Sequence, residues 1–368
     1  MIAVHEVVSN LAGCVWQFVG INSNGVWQPP SNPSPLDISA AAGVPVAKSA
    51  AVGSTISEDF DLLVHNRAMY YLGADQHIHQ LYSDSSGGWH AQDLTTATSA
   101  PNTGIGSPVV SLSDTIANTT DVYFIGADQH VRQLWYSGSW HSNDLGAVAG
   151  AQNALAGSPL SVLINPKAHS VEVTYVAAGG TLFQLWYGGS WHANNLSTAA
   201  GAPAAGSGTP LAAVFDTIDN LDEIYYIGSD GHVHQMWFDT KWHTTDVSFT
   251  VGDGPAMPIG GLSAVVNTIA SSLEVDYVGS DQHLRQLWYG SGIWHHNDLT
   301  ALFGAPTAAA GTQLNSIIDP SVNHSEIYYL TSERHIYELW YNGDGNWYKT
   351  DISGQVVSEC IADANCAQ

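Results

Sequence analysis

Residues 121–145 read DVYFIGADQHVRQLWYSGSWHSNDL, and this stretch contains the pattern that decides the fold. An acidic residue begins a run of β-branched and aromatic residues, and an Asp-x-His turn follows. Two further runs are joined by Ser137-Gly138-Ser139. Short apolar runs separated by turn residues are typical of β-strands, and the stretch has no helical periodicity.

The tryptophan that opens the last run of this stretch recurs at a nearly constant spacing. Successive copies are separated by 51, 51, 51, 52 and 53 residues, and they lie at Trp89, Trp140, Trp191, Trp242, Trp294 and Trp347. A degenerate copy with an insertion, VWQPPSNPSPLDI, contains Trp27. Four strands in about 50 residues is the pattern of one blade of a β-propeller.

The repeat predicts an all-β chain with a single domain over residues 1–368. We expect a seven-bladed β-propeller with four antiparallel strands per blade. Together, the 21 residues after Trp347 and the 27 residues up to Trp27 amount to about one repeat. We therefore expect the two terminal segments to share a seventh blade, which closes the ring and removes the open sheet edge. Cys14 could then pair with Cys360 or Cys366, or all three could be free thiols.

The charge balance limits the choice of partners. Eight Lys and Arg residues stand against 33 Asp and Glu residues, for a formal net charge of −25. An acidic surface repels phosphate backbones and anionic lipids, so nucleic acid is excluded as a partner and a neutral ligand is favoured. The acidity could equally serve solubility alone. No apolar run approaches the ~18 residues of a membrane span, and the N-terminus lacks signal-peptide features. We expect a soluble protein with no membrane insertion.

The short hairpin at Ser137-Gly138-Ser139 predicts a register for the third and fourth strands. Tyr136 should oppose Trp140, Trp135 should oppose His141, Gln133 should oppose Asn143 and Arg132 should oppose Asp144. Because side chains alternate along a strand, one face then carries an aromatic ring, two amides and an imidazole. A sugar fits this set, since its C–H face packs on an aromatic ring and its hydroxyls need paired donors and acceptors.

The same set returns in four successive repeats and defines the candidate ligand-binding residues. They are Gln133, Trp135, His141, Asn143, Asp144, Gln184, Trp186, His192, Asn194, Gln235, Trp237, His243, Gln286, Trp288, His295, Asn297 and Asp298. The alternative is structural: the tryptophans could form core, and the amides could satisfy backbone groups between blades. The first and last repeats differ, with Tyr82 and Glu338 in this set.

Catalytic and metal-binding patterns are absent from the sequence. It contains neither GxSxG nor HExxH, and its four arginines are spread over different repeats. Catalysis needs one asymmetric site, whereas this chain repeats several similar ones, so we expect no enzyme. The His77/His79, His232/His234 and His295/His296 pairs lack an evident third ligand. No metal site and no cofactor are predicted.

Three segments resemble a known family. SDQHLRQLWY from Ser280, WHHNDLT from Trp294 and FGAPTAAAGT from Phe303 are similar to the repeats of the seven-bladed propeller lectins of Photorhabdus. The resemblance implies a secreted or released bacterial lectin. It also implies a homo-oligomer that binds fucose or related and O-methylated sugars of cell-surface glycans in several pockets between blades.

A second class of function remains open, a non-enzymatic propeller that serves as a scaffold for protein interactions. Such a scaffold would vary its surface loops and keep only its core positions alike. Here Gln, His, Asn and Asp repeat as faithfully as the apolar residues do. This regularity favours several copies of one small ligand.

Overall fold

The computed structural model describes residues 3–9, 15–21, 36–37, 42–44, 55–61, 66–319 and 322–353. It contains six four-stranded antiparallel sheets in which strands follow one another in chain order, one sheet per repeat. We number these sheets as blades 1 to 6. This is the predicted all-β propeller architecture with four strands per blade.

The strands of each blade are short and are separated by tight turns. A three-stranded sheet precedes the blades, with β1 (Ala3–Ser9), β2 (Val15–Ile21) and β3 (Leu36–Asp37). Blade 1 contains β4 (Ile56–Asp61), β5 (Asn66–Leu72), β6 (Ile78–Ser83) and β7 (Trp89–Asp93). Blade 2 contains β8 (Val109–Asp114), β9 (Thr119–Ile125), β10 (Val131–Tyr136) and β11 (Trp140–Asp144). Blade 3 contains β12 (Leu160–Asn165), β13 (Ser170–Ala177), β14 (Thr181–Tyr187) and β15 (Trp191–Asn195).

Blades 4 to 6 repeat this arrangement. Blade 4 contains β16 (Leu211–Asp216), β17 (Leu221–Ile227), β18 (Val233–Phe238) and β19 (Trp242–Asp246). Blade 5 contains β20 (Leu262–Asn267), β21 (Ser272–Val278), β22 (Leu284–Gly290) and β23 (Ile293–Asp298). Blade 6 contains β24 (Leu314–Asp319), β25 (His324–Leu330), β26 (Ile336–Tyr341) and β27 (Trp347–Asp351). The chain divides into two compact units, of which one holds blades 1 to 3 and the other holds blades 4 to 6.

The prediction of seven four-stranded blades is wrong. The described residues form six, and the N-terminal strands form a sheet of only three. Its last strand, β3, has two residues and pairs with β2 through Trp16 and Gln17. Residues 29–35 just before it include four prolines, which cannot donate a hydrogen bond to a strand ladder. Trp27, Cys14, Cys360, Cys366 and the predicted pairing of the two termini lie outside the described residues.

The predicted register of the third and fourth strands is confirmed in blade 2. Tyr136 pairs with Trp140, Trp135 with His141, Gln133 with Asn143, and Arg132 with Asp144. Because the same hairpin length recurs in blades 3 and 4, Trp186 faces His192 and Trp237 faces His243 in the same way. The side-chain set predicted for one face of each blade therefore lies on one face.

A helix of five residues follows the fourth strand in blades 1 to 5, which the sequence pattern did not predict. The helices are α1 (Leu94–Thr98), α2 (Leu145–Ala149), α3 (Leu196–Ala200), α4 (Val247–Val251) and α5 (Leu299–Phe303). One turn is too short to show a helical period. Its signal is instead the aspartate that ends the strand, since the carboxylate of Asp144 accepts a hydrogen bond from the Ala147 amide and caps the helix.

The core lies between successive blades. In the unit of blades 1 to 3, Tyr123 and Val131 of blade 2 pack with Leu160, Val173 and further apolar residues of blade 3. The second strand of each blade is nearly completely buried, and all eight residues of β13 are inaccessible. Both faces of such a strand must therefore carry residues that tolerate burial. Among the described residues, no helix is long and apolar enough to cross a membrane.

Candidate functional site

A pocket of about 310 Å³ opens between blades 2 and 3, within one compact unit. Blade 2 contributes three of the predicted residues, Gln133, Trp135 and Asn143, to its lining. Blade 3 contributes Tyr187 and Trp191 from its opposite face. The pocket thus joins the polar face of one blade to the aromatic face of the next.

A chain of hydrogen bonds crosses the floor of this pocket. Asn143 Nδ2 donates to Gln133 Oε1 at 3.0 Å, and Gln133 Nε2 donates to Asp121 Oδ2 at 2.9 Å. The hydroxyl of Tyr123 donates to the same carboxylate oxygen at 2.8 Å. Turning the Asn143 amide would replace its bond to Gln133 Oε1 by one that it accepts from the indole N–H of Trp135 at 3.3 Å. The amide pair therefore lies between the aromatic wall and the buried carboxylate.

Asp121 anchors this chain of hydrogen bonds from beneath the pocket. The residue is only 1% exposed, and its second oxygen, Oδ1, is buried as well. A ligand hydroxyl therefore meets the amides of Asn143 and Gln133 rather than the carboxylate itself. These amides supply both donors and acceptors, so the pocket is suited to a polyhydroxylated molecule.

Aromatic rings form the sides of the pocket. Trp135 is half-buried, and Tyr187 and Trp191 of blade 3 lie with ring centroids 5.4 Å apart at an angle of 50°. Carbohydrates expose C–H faces that pack on such rings, while a low number of polar groups fixes their orientation. Together with the amide pair, the rings provide both kinds of contact.

Comparison with known proteins agrees with this geometry. The family model of the fungal fucose-specific lectins matches residues 40–275, which is more than half of the chain. The chain belongs to this lectin family. It is therefore a carbohydrate-binding lectin.

Solved structures share the fold of this lectin at low sequence identity. The BP39L lectin from Burkholderia pseudomallei superposes with a TM-score of 0.73 at 18% identity, covering 95% of this chain and 94% of that one. The six-bladed Aleuria aurantia lectin gives a TM-score of 0.56 at 14% identity, covering 82% and 96%. The SapL1 lectin, solved with α-methyl fucoside, gives 0.54 at 16% identity, covering 81% and 95%. No curated protein matches the chain.

The other predicted sets of the lectin show the same internal bonding. In blade 3, Asn194 donates to Gln184 at 3.0 Å and Gln184 donates to Glu172. In blade 4, Gln235 donates to Glu223 at 2.6 Å. In blade 5 the chain of bonds is looser, with 3.4 Å from Asn297 to Gln286 and 3.4 Å from Gln286 to Glu274.

The carboxylate of blade 5 differs from that of blade 2 in having its own protein partners. Glu274 accepts from Asn267 at 2.8 Å, from Ser272 at 3.1 Å and from Ser325 of blade 6 at 2.7 Å. These donors satisfy both oxygens of Glu274. The lectin's repeats are therefore chemically unequal.

Burial shifts the titration of these acids. Burial raises the pKa of Asp121 to about 6, although the hydrogen bonds from Tyr123, Thr119 and Gln133 act to lower it. Burial likewise raises the pKa of Glu223 to about 8. In blade 5, burial and the nearby charge of Glu274 raise the pKa of Asp276 to about 8. Several acids at the candidate sites thus change charge near neutral pH.

The predicted histidines support the tryptophans and do not line the described pocket. His141 stacks on Trp135 with ring centroids 4.3 Å apart, and its Nε2 lies 3.0 Å from Ser139 Oγ. The equivalent stacks are Trp186–His192 at 4.4 Å, Trp237–His243 at 4.9 Å and Trp288–His295 at 3.9 Å. A stacked imidazole holds the indole plane in place, which explains its recurrence in the sequence.

Asp144 and Asp298 lie apart from the tryptophan face. Each caps a helix and accepts a hydrogen bond from the turn histidine of its own blade, His130 at 2.9 Å and His283 at 2.8 Å. Arg132 and Arg285 complete these clusters at 3.0 and 3.4 Å from the respective carboxylates. The structure thus does not bring the two aspartates together with the other predicted residues.

Sequence reasoning missed Asp121, Tyr123, Tyr187 and Trp191 as pocket residues. The signal for the first two was the acidic residue at the start of the second strand, which stands opposite the third-strand tryptophan in blades 2 to 6. An acid inside a buried strand is rare unless it has a partner or a ligand. Blade 1 has Ala68 at this position and Tyr82 opposite it, so it lacks both groups.

Proposed function

We propose that this lectin binds fucose or closely related sugars, including O-methylated ones, in pockets between successive blades. The observation that carries the proposal is a pocket that places the amides of Asn143 and Gln133 beside the ring of Trp135. The amides would bind the sugar hydroxyls, and a C–H face would pack against Trp135. The family match and the solved lectin structures support the sugar class.

Repetition makes the proposed binding multivalent. The acid–glutamine–asparagine series recurs in blades 3 and 5, and a threonine replaces the asparagine in blade 4. Several weak sites that engage one surface can raise the avidity by ~10²–10⁴. Cell-surface glycans, which present many copies of one sugar, are the partners that fit this arrangement. A homo-oligomer and release from a bacterial cell, which the Photorhabdus resemblance implies, stay predictions.

We further infer that the protein acts by binding and performs no catalysis. The acids of successive pockets occupy equivalent positions and each lies in its own blade, whereas glycoside hydrolysis needs two carboxyl groups about 5–10 Å apart flanking one bond. In the described pocket, Asp121 is accompanied by the carboxyl of Asp114, which already accepts from the amides of Ile116 and Ala117. Asp114 thus stabilises the turn that follows β8 and is not placed as a second catalytic group.

Calorimetric titration with methyl α-L-fucoside, together with a glycan array, tests the function. We expect saturable binding that Trp135→Ala and Asn143→Ala each reduce by one site. Ser142→Ala is the matched control, because Ser142 lies on the same strand but on the opposite face. Absence of binding to any saccharide, with a folded protein, would contradict the proposal and favour the protein-interaction scaffold.

A further inference from the structure

Blades 1 and 4 each carry four potential metal ligands at the end of the blade away from the aromatic hairpin. In blade 1 they are Asp75, His77, His79 and Asp93, which we call the blade 1 tetrad. His77 Nδ1 lies 2.9 Å from Asp93 Oδ2, and His79 Nε2 lies 2.9 Å from Asp75 Oδ1. Ligand atoms of Asp75, His77 and Asp93 all lie within 4.8 Å of one another. The Asp-x-His turn and the strand-ending aspartate, 16 residues further on, thus meet in space.

The blade 4 tetrad, Asp230, His232, His234 and Asp246, has the same construction. His232 Nδ1 lies 2.6 Å from Asp246 Oδ2, and His234 Nε2 lies 3.1 Å from each oxygen of Asp230. Ligand atoms of Asp230, His234 and Asp246 again lie within 4.8 Å of one another. Two separate blades therefore build one arrangement of two imidazoles and two carboxylates.

In blades 2 and 5, an arginine occupies the position of the second histidine of the tetrad. Arg132 stands where blade 1 has His79, and its guanidinium lies 3.0 Å from Asp144 and 2.5 Å from Asp128. Arg285 of blade 5 contacts Asp281 at 2.6 Å and Asp298 at 3.4 Å. A permanent cation thus neutralises the two carboxylates in these blades. An imidazole can lose its proton, and the same two carboxylates then need another cation.

The histidines that stand in the arginine position, His79 and His234, are buried and packed. The side chains of His79 and His234 are only 4% and 3% exposed. Tyr71 stacks on His79 with centroids 5.4 Å apart, and Tyr226 stacks on His234 at 5.3 Å. Both nitrogens that face the aspartates are therefore fixed in position before any ligand arrives.

A glycine leaves room for the close approach of side chains in each tetrad, as a glycine also does for the aspartate and arginine of blades 2 and 5. A Cβ at Gly73 would lie 2.4 Å from Asp75 Oδ1 and 2.7 Å from His79 Nε2. At Gly228 the same distances are 2.4 Å to Asp230 Oδ1 and 2.7 Å to His234 Nε2. Only glycine lets the imidazole and the carboxylate approach each other beneath the chain.

We propose that the blade 1 and blade 4 tetrads each bind one divalent transition-metal ion, with Zn²⁺ as the best match. Two imidazole nitrogens and two carboxylate oxygens form a four-coordinate N₂O₂ set, which suits Zn²⁺. At metal–ligand distances of about 2.1 Å, tetrahedral ligand atoms stand roughly 3.4 Å apart. Three ligand atoms of each tetrad already lie within 4.8 Å of one another, and the fourth must move toward them to complete the set. In blades 1 and 4 the ion would take the role that the guanidinium has in blades 2 and 5. It would link the Asp-x-His turn to the end of the fourth strand.

The test counts Zn²⁺ ions bound to the full-length, untagged chain by calorimetry and by equilibrium dialysis with metal analysis. We expect two saturable sites per chain, one per tetrad. His79→Arg and His234→Arg should each remove one site, and the double variant should remove both. Arginine is the informative replacement because blades 2 and 5 show that the fold accommodates it. His169→Asn is the matched control, since His169 belongs to blade 3, which carries neither tetrad, and occupies a turn with positive φ that asparagine tolerates.

A gain of function completes the test. Arg132→His recreates the tetrad in blade 2 and should add a third Zn²⁺ site. Fucoside binding and the circular dichroism spectrum report whether each variant is folded, independently of the metal. The proposal is overturned if the folded double variant keeps two Zn²⁺ sites, or if the wild-type chain binds none.

Discussion

Fucose binding in the pocket between blades 2 and 3 is expected to strengthen about tenfold between pH 5 and pH 7. The group responsible is Asp121, whose pKa burial raises to about 6. The ionised carboxylate accepts hydrogen bonds from Gln133 and Tyr123, so only that form fully holds the Gln133 amide in the orientation in which it and Asn143 bind a sugar hydroxyl. The apparent affinity then follows the ionised fraction of this one side chain.

The size of the effect follows from that pKa. The ionised fraction of Asp121 is about 9% at pH 5 and about 91% at pH 7. Because the apparent dissociation constant is the intrinsic one divided by the competent fraction, it falls about tenfold over this range. Asp121→Asn should flatten the profile. It should also weaken binding at pH 7 by about 1–2 kcal/mol, or roughly five- to thirtyfold, because the charge-assisted hydrogen bond is lost.

The assay must isolate one pocket. Calorimetry with methyl α-L-fucoside at pH 5, 6, 7 and 8 would use a background in which Trp186, Trp237 and Trp288 are changed to Ala. Crystals of the unmodified lectin, soaked at pH 5 and pH 7 with graded fucoside, give the occupancy of the same pocket without those changes. Affinity that is flat with pH, or that falls as pH rises, would refute the role assigned to Asp121.

Three further changes test the structure around the sites. Burial raises the pKa of Glu223 to about 8, so its contribution to stability is present below about pH 4.5 and is lost as pH rises through 8. The unfolding free energy of Glu223→Gln, relative to that of the wild type, should therefore rise by at most about 5 kcal/mol between pH 4 and pH 8. Denaturant titrations at the two pH values measure this difference. Asp144→Ala removes the cap on Ala147 and the partner of His130, and should cost about 1 kcal/mol in the same titrations without weakening fucoside binding. Gly126→Ala would place a Cβ 2.5 Å from an Asp128 oxygen, and should lower the unfolding free energy by about 1–3 kcal/mol.

Register was the part of the fold that the sequence predicted best. A three-residue hairpin of Ser and Gly fixes which residues of two short strands face each other, and that rule is local. The number of blades does not follow from such a local rule, and the prediction of seven was wrong. Spacing showed where a repeat occurs, but whether a degenerate, proline-rich copy forms four strands depends on the hydrogen bonds that its backbone can still donate.

The site was predictable for the side chains of one blade and not for those of its neighbour. Gln133, Trp135 and Asn143 lie on adjacent strands, so alternation alone placed them on one face. Tyr187 and Trp191 reach the same pocket from the following repeat and from the opposite face of its sheet. Their contribution depends on how two blades pack, which the pattern of a single repeat does not specify.

The two ends of each blade have separate chemistry, and blade 3 shows that the ends are independent. It keeps Gln184, Trp186 and Asn194 with their hydrogen bonds at the aromatic end. Its turn at Ala178–Gly180, by contrast, contains neither the aspartate nor the histidine of the other repeats, and Phe183 occupies the position of Arg132. The tryptophan and amide set of a blade therefore does not require the charged cluster at its other end. For this reason His79→Arg and His234→Arg should change metal binding alone, while Trp135→Ala should change fucoside binding alone.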